Sequence, residues 1–366
     1  IGEICDICRG RVMSKDYISE NKGEYPVYSS QTENNGELGR IATFDFDGEY
    51  LSWTTDGANA GTVFYRNGKF SVTNVCGLLK IKNDGLLTKY LYYTLNAEAP
   101  NHVNSGMGNP KLMSNVMAKI TIPIPPMTVQ EEIVRILDTF TELTAELTAE
   151  LSARKQQYDY YNNILLSFDN PTYQTLEELC DIVDYRGKTP RKVDEGIFLV
   201  TAKNIRKGFI DYDKSKEYIS PEDYDEVMHR GFPKMGDVLI TTEAPCGNVA
   251  QIDNENIALA QRVIKYRPKS NNLNSTFLKY VLLGKEFQDK LERAATGGTV
   301  KGIKGSKLHK LTIPVPPIEE QERIVEILER FDTLCNDISE GLPAEIEGRR
   351  KQYEHYRDKL LTFKEL

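Results

Sequence analysis

Long apolar segments are missing from this chain of 366 residues. No run approaches the roughly 18 consecutive apolar residues that a membrane-spanning helix needs, and no basic and apolar leader is visible. We therefore expect a cytoplasmic protein that does not contact a membrane. An apolar content of 40% with a single tryptophan is typical of a folded globular chain. The length suits two domains of ordinary size.

Cysteine and histidine are too few and too scattered to predict a metal site. Cys5 and Cys8 form a Cys-x-x-Cys pair, which is either half of a zinc site, a redox pair, or two small residues on a strand or turn. The last interpretation is favoured, since no second such pair completes a zinc site and Val183 matches Cys8 in the second half of the chain. We expect free thiols at all six cysteines and no bound metal.

Motifs of catalysis are absent as well. The segment 296–307, TGGTVKGIKGSK, is rich in glycine and lysine, but its spacing does not match a phosphate-binding loop. No serine lies in a nucleophile elbow, and none of the four histidines pairs with another at metal-ligand spacing. The aspartate- or asparagine-Pro-Pro-aromatic tetrapeptide of amino-methyltransferases does not occur. We therefore predict no catalytic residues, and an enzyme is the weaker class.

An internal repeat is the strongest positive signal. The segment IPIPPMTVQEEIVRILDTF begins at Ile122, and IPVPPIEEQERIVEILERF begins 191 residues later at Ile313. The related segments ARKQQYDYYNNILLSF and GRRKQYEHYRDKLLTF end at Phe168 and Phe363. Such self-similarity indicates one structural unit used twice. Each unit is a globular block followed by a long helix.

The helix after the first block is predicted over about residues 129–167. Apolar residues recur there in steps of three and four, which is the pattern of a helix with one apolar seam. The preceding Pro125 and Pro126 cannot continue a helix backwards, so Thr128 is the expected N-cap, with Glu131 completing a capping box. About 39 helical residues would span roughly 58 Å.

The second helix repeats this seam and carries four extra residues around Gly341 and Pro343. These residue types predict a kink or short break at 341–343 and a further helix from about Ala344. A long helix with one apolar seam needs a partner, so the two helices either pair antiparallel, bind another subunit, or do both. The predicted partner-interface positions on the helices are Ile133, Phe140, Tyr158, Tyr161, Ile324, Phe331, Tyr353 and Tyr356.

The globular blocks have mixed strand and helix signals in the same order: strands, one helix, a glycine-rich loop and the Pro-Pro segment. The predicted fold class is α+β, with two similar mixed α/β domains separated by two long helices that form an antiparallel coiled coil with a pseudo-twofold repeat. The predicted boundaries are 1–121 for the first block, 122–169 for the first helix, 170–312 for the second block and 313–366 for the second helix.

Charge is unevenly distributed along the chain. The net charge of −8 divides into −1 and +3 for the two blocks and −5 for each helical segment. The blocks are thus neutral to slightly basic, and the distribution of charge matters more than its total for binding a polyanion. This pattern permits a nucleic-acid partner without requiring one.

Polar loops of the blocks contain the side-chain types that contact DNA. Lysine, arginine, threonine and glycine amides bind phosphates, whereas Gln, Asn and Arg can pair with base edges. An ordinary polar turn is the simpler interpretation of any single residue, but two such blocks on a spacer favour DNA contact for the set. The candidates are Ser30, Gln31, Thr32, Asn34, Thr54, Thr55, Asn59, Tyr65, Arg66 and Lys111 in the first block, and Arg186, Lys188, Thr189, Arg191, Lys203, Asn204, Arg206, Thr242, Asn248, Thr296, Gly298, Thr299, Lys301 and Lys304 in the second.

Nearly the whole chain resembles the specificity subunit of a type I DNA restriction–modification system. The resemblance rests on the two IP[IV]PP…QE.IV.IL..F segments, the tails RKQQYDYY and RKQYEHYR, and the segment FPKMGDVLITTEAPCGNVA. It implies two target-recognition domains, each reading one half of a split double-stranded DNA site, and helices that set the spacing and dock two modification subunits.

The resemblance also implies where the chemistry lies. S-adenosylmethionine, ATP and magnesium would be bound by partner modification and restriction (motor-nuclease) subunits, and no cofactor by this chain. The alternative hypothesis is a coiled-coil adaptor that joins two protein partners without reading DNA, which the acidic total charge favours. Sequence-specific retention on DNA would exclude the adaptor.

Overall fold

Two globular blocks and a set of long helices make up the chain. The computed structural model describes residues 1–106, 108–185, 190–297, 301–336 and 341–363. Its packing separates two units: unit 1 comprises Ile1–Ala149 with Ala344–Leu366, and unit 2 comprises Glu150–Pro343. We call the globular part of unit 1 block 1 and that of unit 2 block 2. No helix within the described ranges is both long and apolar enough to cross a membrane.

Unit 1 begins with eight strands and three short helices. The strands are β1 (Cys5–Arg9), β2 (Lys22–Tyr28), β3 (Glu37–Ile41), β4 (Phe46–Asp47), β5 (Tyr50–Thr54), β6 (Val63–Arg66), β7 (Lys69–Val72) and β8 (Cys76–Ile81). The helices are α1 (Lys15–Glu20), α2 (Thr88–Glu98) and α3 (Ser114–Met117), with 3-10 turns at Glu33–Gly36 and Ala99–His102. Helix α4 (Met127–Leu165) follows and continues into unit 2.

Unit 2 has a similar inventory. Its strands are β9 (Tyr173–Thr175), β10 (Cys180–Asp184), β11 (Lys192–Val193), β12 (Ile197–Val200), β13 (Tyr218–Ile219), β14 (Val238–Thr242), β15 (Cys246–Gln251), β16 (Ile257–Leu259), β17 (Val263–Pro268) and β18 (Thr312–Pro314). Its helices are α5 (Leu176–Leu179), α6 (Tyr224–Val227), α7 (Ser275–Leu283), α8 (Lys285–Ala294), α9 (Gly305–Leu308) and α10 (Ile318–Asn336), with a 3-10 turn at Pro221–Asp223. The last helix is α11 (Leu342–Leu361).

One sheet has the same topology in both blocks. Its strand order is β1-β8-β5-β6 in block 1 and β10-β17-β14-β15 in block 2, with every neighbour antiparallel. Cys5 and Cys180 begin the corresponding edge strands, opposite Ile81 and Pro268. The shared frame confirms the predicted α+β class with an internal repeat.

A second sheet accounts for the divergence between the blocks. Its common part is a parallel pair, β2 with β7 or β12 with β16, flanked by an antiparallel strand, β3 or β13. Block 1 adds β4 beside β7, whereas block 2 adds β11 beside β13. The edges of this sheet therefore differ between two blocks whose first sheets match.

The core of block 1 forms around the only tryptophan. Trp53 on β5 is fully buried, and its indole N–H donates to the carbonyl oxygen of Leu112 at 2.9 Å. Gly77 on the neighbouring strand makes this packing possible, because a Cβ there would lie 2.3 Å from the indole ring. Helix α2 covers this sheet with Tyr90 and Leu91, both fully buried. Trp53 is thus a natural fluorescence probe of block 1.

Helix α4 begins where the two prolines end. Its first residue is Met127, and the carbonyl oxygen of Pro126 accepts from the amide of Gln130 at 3.2 Å. The prediction of an N-cap at Thr128 is therefore wrong by two residues, because the proline carbonyl already starts the helical hydrogen bonds. The helix covers 39 residues without a break, in agreement with the predicted length.

The second helical segment consists of two helices. Helix α10 ends at Asn336, and α11 starts at Leu342 with Pro343 in its first turn. This arrangement agrees with the break predicted near Gly341 and Pro343, since proline fits the first turn of a helix but not its interior. Residues 337–340 lie outside the described part of the chain.

Equivalent aromatic pairs join the helices within each unit. In unit 1, Phe140 of α4 stacks on Tyr356 of α11 with ring centroids 5.4 Å apart. In unit 2, Phe331 of α10 stacks on Tyr161 of α4 at 5.7 Å, and Tyr158 contacts the same phenylalanine edge-on at 6.3 Å. In unit 1 the phenylalanine of the pair lies on α4, and in unit 2 the tyrosine lies on α4. The two repeats thus exchange roles, as expected when the helices of an internal repeat pair antiparallel.

Three of the predicted partner-interface residues pack in or against the cores of the blocks instead. Ile133 is 3% exposed in the core of block 1, and Ile324 is fully buried in the core of block 2. Tyr353 packs half-buried against the block 1 core. The role predicted for the two isoleucines is wrong, because the first turns of α4 and α10 dock on their own blocks. Tyr161 and Tyr356 remain 39% and 43% exposed.

A buried glutamine anchors each long helix to its block. Gln130 donates to the carbonyl oxygens of Gly85 and Pro125 at 3.0 and 2.8 Å and accepts from the amide of Leu87 at 2.9 Å. Gln321 makes the same three bonds, donating to Asn272 and Pro316 and accepting from Asn274. Both side chains are fully buried.

We expect Gln130→Ala to lower the free energy of unfolding by about 1–3 kcal/mol, since it leaves buried backbone groups without partners. Urea unfolding followed by the fluorescence of Trp53 would measure this loss in block 1. Thr128→Ala, exposed on the same turn of the helix, is the matched control and should change the midpoint little. An unchanged midpoint for Gln130→Ala would contradict the anchoring role.

Candidate nucleic-acid interface

Three loops meet at one end of the first sheet in block 1. The turn after β5 is joined to the segment before α3 by the amide of Leu112, which donates to the carbonyl oxygen of Thr55 at 2.9 Å. The hydroxyl of Thr55 donates to the carbonyl oxygen of Val75, just before β8, at 2.7 Å. Asn104 and Lys111 exchange two backbone hydrogen bonds that close the glycine-rich loop. The strand ends thus hold three loops side by side.

Block 2 holds the corresponding loops by the same bonds. The amide of Ile303 donates to the carbonyl oxygen of Thr242 at 2.9 Å, and the hydroxyl of Thr242 donates to the carbonyl oxygen of Arg262 at 3.3 Å. Thr296 and Gly302 exchange the two backbone bonds that close the second glycine-rich loop. The two blocks therefore present one loop frame with different side chains, which the sequence did not reveal.

Several of the block 1 candidates gather on this frame. The hydroxyl of Ser30 donates to the carbonyl oxygen of Val75 and accepts from the amide of Thr55. The amide of Asn59 donates to the hydroxyl of Thr32 at 2.9 Å, so the 29–36 turn joins the three loops. Asn34 is exposed on this turn with a left-handed backbone, φ 47°.

The side chains of Gln31 and Tyr65 bond to groups outside the three loops. The side chain of Gln31 donates to the carbonyl oxygen of Glu37 at 2.7 Å. Tyr65 pairs with Leu51 at the opposite end of β5 and donates its hydroxyl proton to Glu49 at 2.6 Å. The structure therefore does not bring Tyr65 to the loop frame.

A polar cavity of about 410 Å³ opens between the loops of block 2. Three of the candidates line it, namely Thr242, Thr296 and Lys304. Glu243 and Arg262, which sequence reasoning did not select, line it as well. The arginine stands where block 1 has the exposed Val75, and this correspondence becomes visible only when β17 is matched with β8.

Other candidates of block 2 surround a neighbouring turn. Asn248 on β15 donates its side-chain amide to the carbonyl oxygen of Ile205 at 2.8 Å, which fixes that turn beside the sheet. Lys203 is exposed there, and Arg206 is paired with Asp211 at 3.2 Å. This turn displays two exposed lysines, Lys203 and Lys207, and one neutralised arginine.

The remaining block 2 candidates fall into two sets. Arg191 is exposed before β11, and Lys301 is paired with Glu292 on α8. Arg186, Lys188, Thr189, Gly298 and Thr299 lie outside the described residues, so their predicted roles stay predictions.

Buried candidates have structural roles, contrary to the prediction that they touch DNA. Arg66 is 2% exposed, and its guanidinium donates to the hydroxyl of Ser52 at 2.9 Å and to the carbonyl oxygen of Asn35 at 2.8 Å. It lies 3.5 Å from the ring centroid of Tyr28. Burial lowers the pKa of this guanidinium. Arg66 thus fastens the 33–36 turn to the sheet from inside.

Two threonines and an asparagine also satisfy buried backbone groups. Thr54 and Thr55 are at most 2% exposed, and the hydroxyl of Thr54 donates to the carbonyl oxygen of Asn59. Asn204 is fully buried, and its side chain donates to the carbonyl oxygens of Asp211 and Ser215. These three side chains shape the loops without reaching the solvent-facing surface.

Positive charge on the block 2 loops is partly uncompensated. Lys203, Lys304 and Lys307 are exposed, and none of them has an ion pair within the described residues. Exposed ammonium groups beside backbone amides and hydroxyls are suited to phosphate contacts. The loop end of block 2 can therefore hold a polyanion without first breaking an ion pair.

Within the described residues, no three His, Cys, Asp or Glu side chains come together as metal ligands. Cys5 is buried and Cys8 exposed on the same strand, in keeping with the strand interpretation of the pair. Burial raises the pKa of the Cys5 thiol to about 11.

Comparison with known proteins identifies the family. Residues 1–154 and 172–348 match the family model described as type I restriction modification DNA specificity domain. A Mycoplasma pneumoniae protein named as a type I specificity subunit is 33% identical over 99% of this chain and 96% of its own length. The specificity subunit of the Escherichia coli type I restriction enzyme EcoR124I/EcoR124II is 39% identical over 76% of this chain and 71% of its own length.

Solved structures show the same fold. The S subunit of a type I restriction–modification system from M. genitalium superposes with a TM-score of 0.62 at 16% identity, covering 100% of this chain and 95% of that one. At this identity the likeness concerns the fold alone, whereas the family match covers most of the sequence. The chain therefore belongs to the family of type I restriction–modification DNA specificity subunits.

Proposed function

We propose that this chain reads a bipartite double-stranded DNA target, with one half-site per block, and directs partner modification and restriction subunits to it. The observation that carries the proposal is the duplicated loop frame. In both blocks, corresponding backbone bonds close the glycine-rich loop and join it to the turn after the central strand, while the exposed side chains differ. Two half-sites of different sequence require the same loop frame with different side chains exposed on it.

Catalysis is assigned to the partners in this proposal. S-adenosylmethionine would bind to two modification subunits, and ATP and magnesium would serve restriction subunits. This chain would contribute sequence recognition and the helices on which the partners assemble. The exposed faces of Tyr161 and Tyr356 beside the internal ring pairs are available for such an assembly.

The direct test is selection from random DNA duplexes by this chain together with its modification subunit. We expect two short specified sequences separated by an unspecified spacer. Half-sites read from one face of B-DNA would lie about one helical turn, roughly 34–36 Å, apart. Selected pools without sequence preference would reject the proposal and favour the adaptor alternative.

Lys304 and Lys307 should contact phosphates. We expect Lys304→Gln and Lys307→Gln each to weaken binding equally for all sequences and to reduce the slope of log K against log salt by about one. Titrations between low and physiological salt would measure the slope. Lys359→Gln on the exposed face of α11 is the matched control and should leave it unchanged. Unaltered slopes in both loop variants would place the DNA elsewhere.

A further inference from the structure

The block 2 cavity contains an ion pair whose arginine has an unusual backbone conformation. Nε of Arg262 is 2.7 Å from Oε1 of Glu243, and the two side chains are 54% and 44% exposed. Arg262 has a left-handed backbone, with φ 74°. The cavity around the pair is polar and is also lined by Thr242, Thr296 and Lys304. The pair therefore belongs to the loop frame and not to the block core.

The backbone of Arg262 is held in an unfavourable conformation by its neighbours. A left-handed φ costs conformational free energy in any residue that has a Cβ. Such strain persists where the surrounding structure imposes it, often at functional sites. Both the amide and the hydroxyl of Thr242 bond to the carbonyl oxygen of Arg262, at 2.9 and 3.3 Å. Glycine would fit this conformation without strain. An arginine there indicates that the side chain is needed.

The matching position of block 1 carries a different chemistry. Val75 precedes β8 as Arg262 precedes β17, and its carbonyl oxygen likewise accepts from a threonine hydroxyl, that of Thr55. Val75 is 37% exposed and offers only apolar contact. One position of the repeated frame thus presents a guanidinium in one block and two methyl groups in the other.

A guanidinium on an exposed loop has a well-defined target in the major groove of DNA. Arginine pairs with O6 and N7 of guanine through two N–H groups, whereas other base pairs do not offer two acceptors on one base in the major groove. A carboxylate on Nε orients the planar fork and limits its rotamers. We propose that Arg262 reads a guanine in the second half-site, with Glu243 as its positioning residue. This inference rests on the proposed function.

The test measures base preference position by position. Arg262→Gly, Arg262→Lys and the wild type, each with the modification subunit, would be subjected to the random-duplex selection, and binding to single-base variants of the selected site would be titrated. We expect Arg262→Gly to abolish a guanine preference at one position of one half-site, a loss of roughly 5- to 150-fold in discrimination. Arg262→Lys should retain only part of that preference, because an ammonium group lacks the planar fork of two N–H groups. The other half-site should be unchanged.

Two controls separate reading from folding. Arg262→Gly relieves the backbone strain, so its Tm should equal or exceed that of the wild type while the base preference disappears. Arg323→Lys alters an arginine paired with Glu320 at 2.7 Å on α10, and should leave every base preference intact. A folded Arg262→Gly protein that retains all preferences would overturn the inference.

Other outcomes have distinct meanings. If Arg262→Gly weakened binding to all sequences alike and Arg262→Lys kept the affinity of the wild type, Arg262 would contact a phosphate. That result would also overturn the inference that it reads a guanine. A wild type that selects no bipartite site would reject the proposed function itself. Glu243→Gln tests the positioning role: discrimination at the same base should fall by less than in Arg262→Gly, with Tm maintained. Unchanged discrimination in Glu243→Gln would assign the orientation of Arg262 to the backbone alone.

Discussion

Replacing Asp237 with asparagine should lower the free energy of unfolding by about 3–5 kcal/mol, because it leaves a buried charge without its partner. Asp237, immediately before β14, is 2% exposed, and its carboxylate lies 3.2 Å from Nζ of Lys265, whose side chain is 3% exposed. Arg267 completes the cluster with Nε 2.6 Å from the other carboxylate oxygen. Urea unfolding followed by far-ultraviolet circular dichroism would measure the loss.

The loss of stability should be concentrated around Lys265. Burial lowers the pKa of the Lys265 amine even with the carboxylate present. Without that carboxylate, the amine retains a hydrogen bond to the carbonyl oxygen of Phe232, at 3.2 Å, as its one remaining partner among the described residues. Hydrogen–deuterium exchange should therefore accelerate in peptides that cover β14 and β17. Peptides of block 1 provide the internal reference.

The pH dependence of the variant follows from the same amine. A lowered pKa means that the unfolded chain binds more protons than the folded chain between the two pKa values, so stability rises with pH there. Losing Asp237 lowers the folded pKa of Lys265 further and extends this range downward. We therefore expect Asp237→Asn to regain part of its stability as pH rises from neutral towards about 10.

Two controls test the assignment. Adding Lys265→Met to Asp237→Asn removes the uncompensated charge and should recover part of the loss, whereas additive losses would contradict the ion-pair explanation. Glu326→Gln breaks the exposed pair with Arg330 on α10, and such pairs contribute at most about 1 kcal/mol. Similar losses for Glu326→Gln and Asp237→Asn would also contradict it.

The helical part of the fold was predictable because its signals are local. The two Pro-Pro segments and the seams of three- and four-residue steps each lie within one helix. The blocks were predictable only as mixed, since the shared sheet joins strands distant in sequence, such as β1 with β8. The Asp237–Lys265 pair was invisible for the same reason.

The candidate site was predicted in its loops but not in its side chains. Polar loop residues can either face a ligand or satisfy buried backbone groups, and residue type does not distinguish these roles. Arg66 and Asn204 proved to do the second. Thr242 and Lys304 line the cavity, yet Arg262 was missed because its importance depends on φ and on Glu243.

Deleting Thr148–Leu151 from α4 should change the preferred spacer of the target without changing either half-site. Residues 144–147 and 148–151 both read Thr-Ala-Glu-Leu, so the deletion preserves the spacing of the leucines along the helix. It shortens α4 by ~6 Å and rotates the C-terminal part of the helix by ~40° about its axis. None of the deleted side chains is buried, so folding should survive.

The expected readout is a selected site shorter by one or two base pairs, since each pair adds about 3.4 Å along the duplex. Binding to the original spacing should fall by at least about tenfold, because both half-sites can no longer be contacted without distorting the DNA or the helix. Thr148→Ala removes a hydroxyl that bonds to the carbonyl oxygen of Thr144 at 2.7 Å but keeps the length, and should retain the original spacer. If the deletion variant selected the original spacing, α4 could not be the element that sets it, and spacing would have to be assigned to α10 and α11.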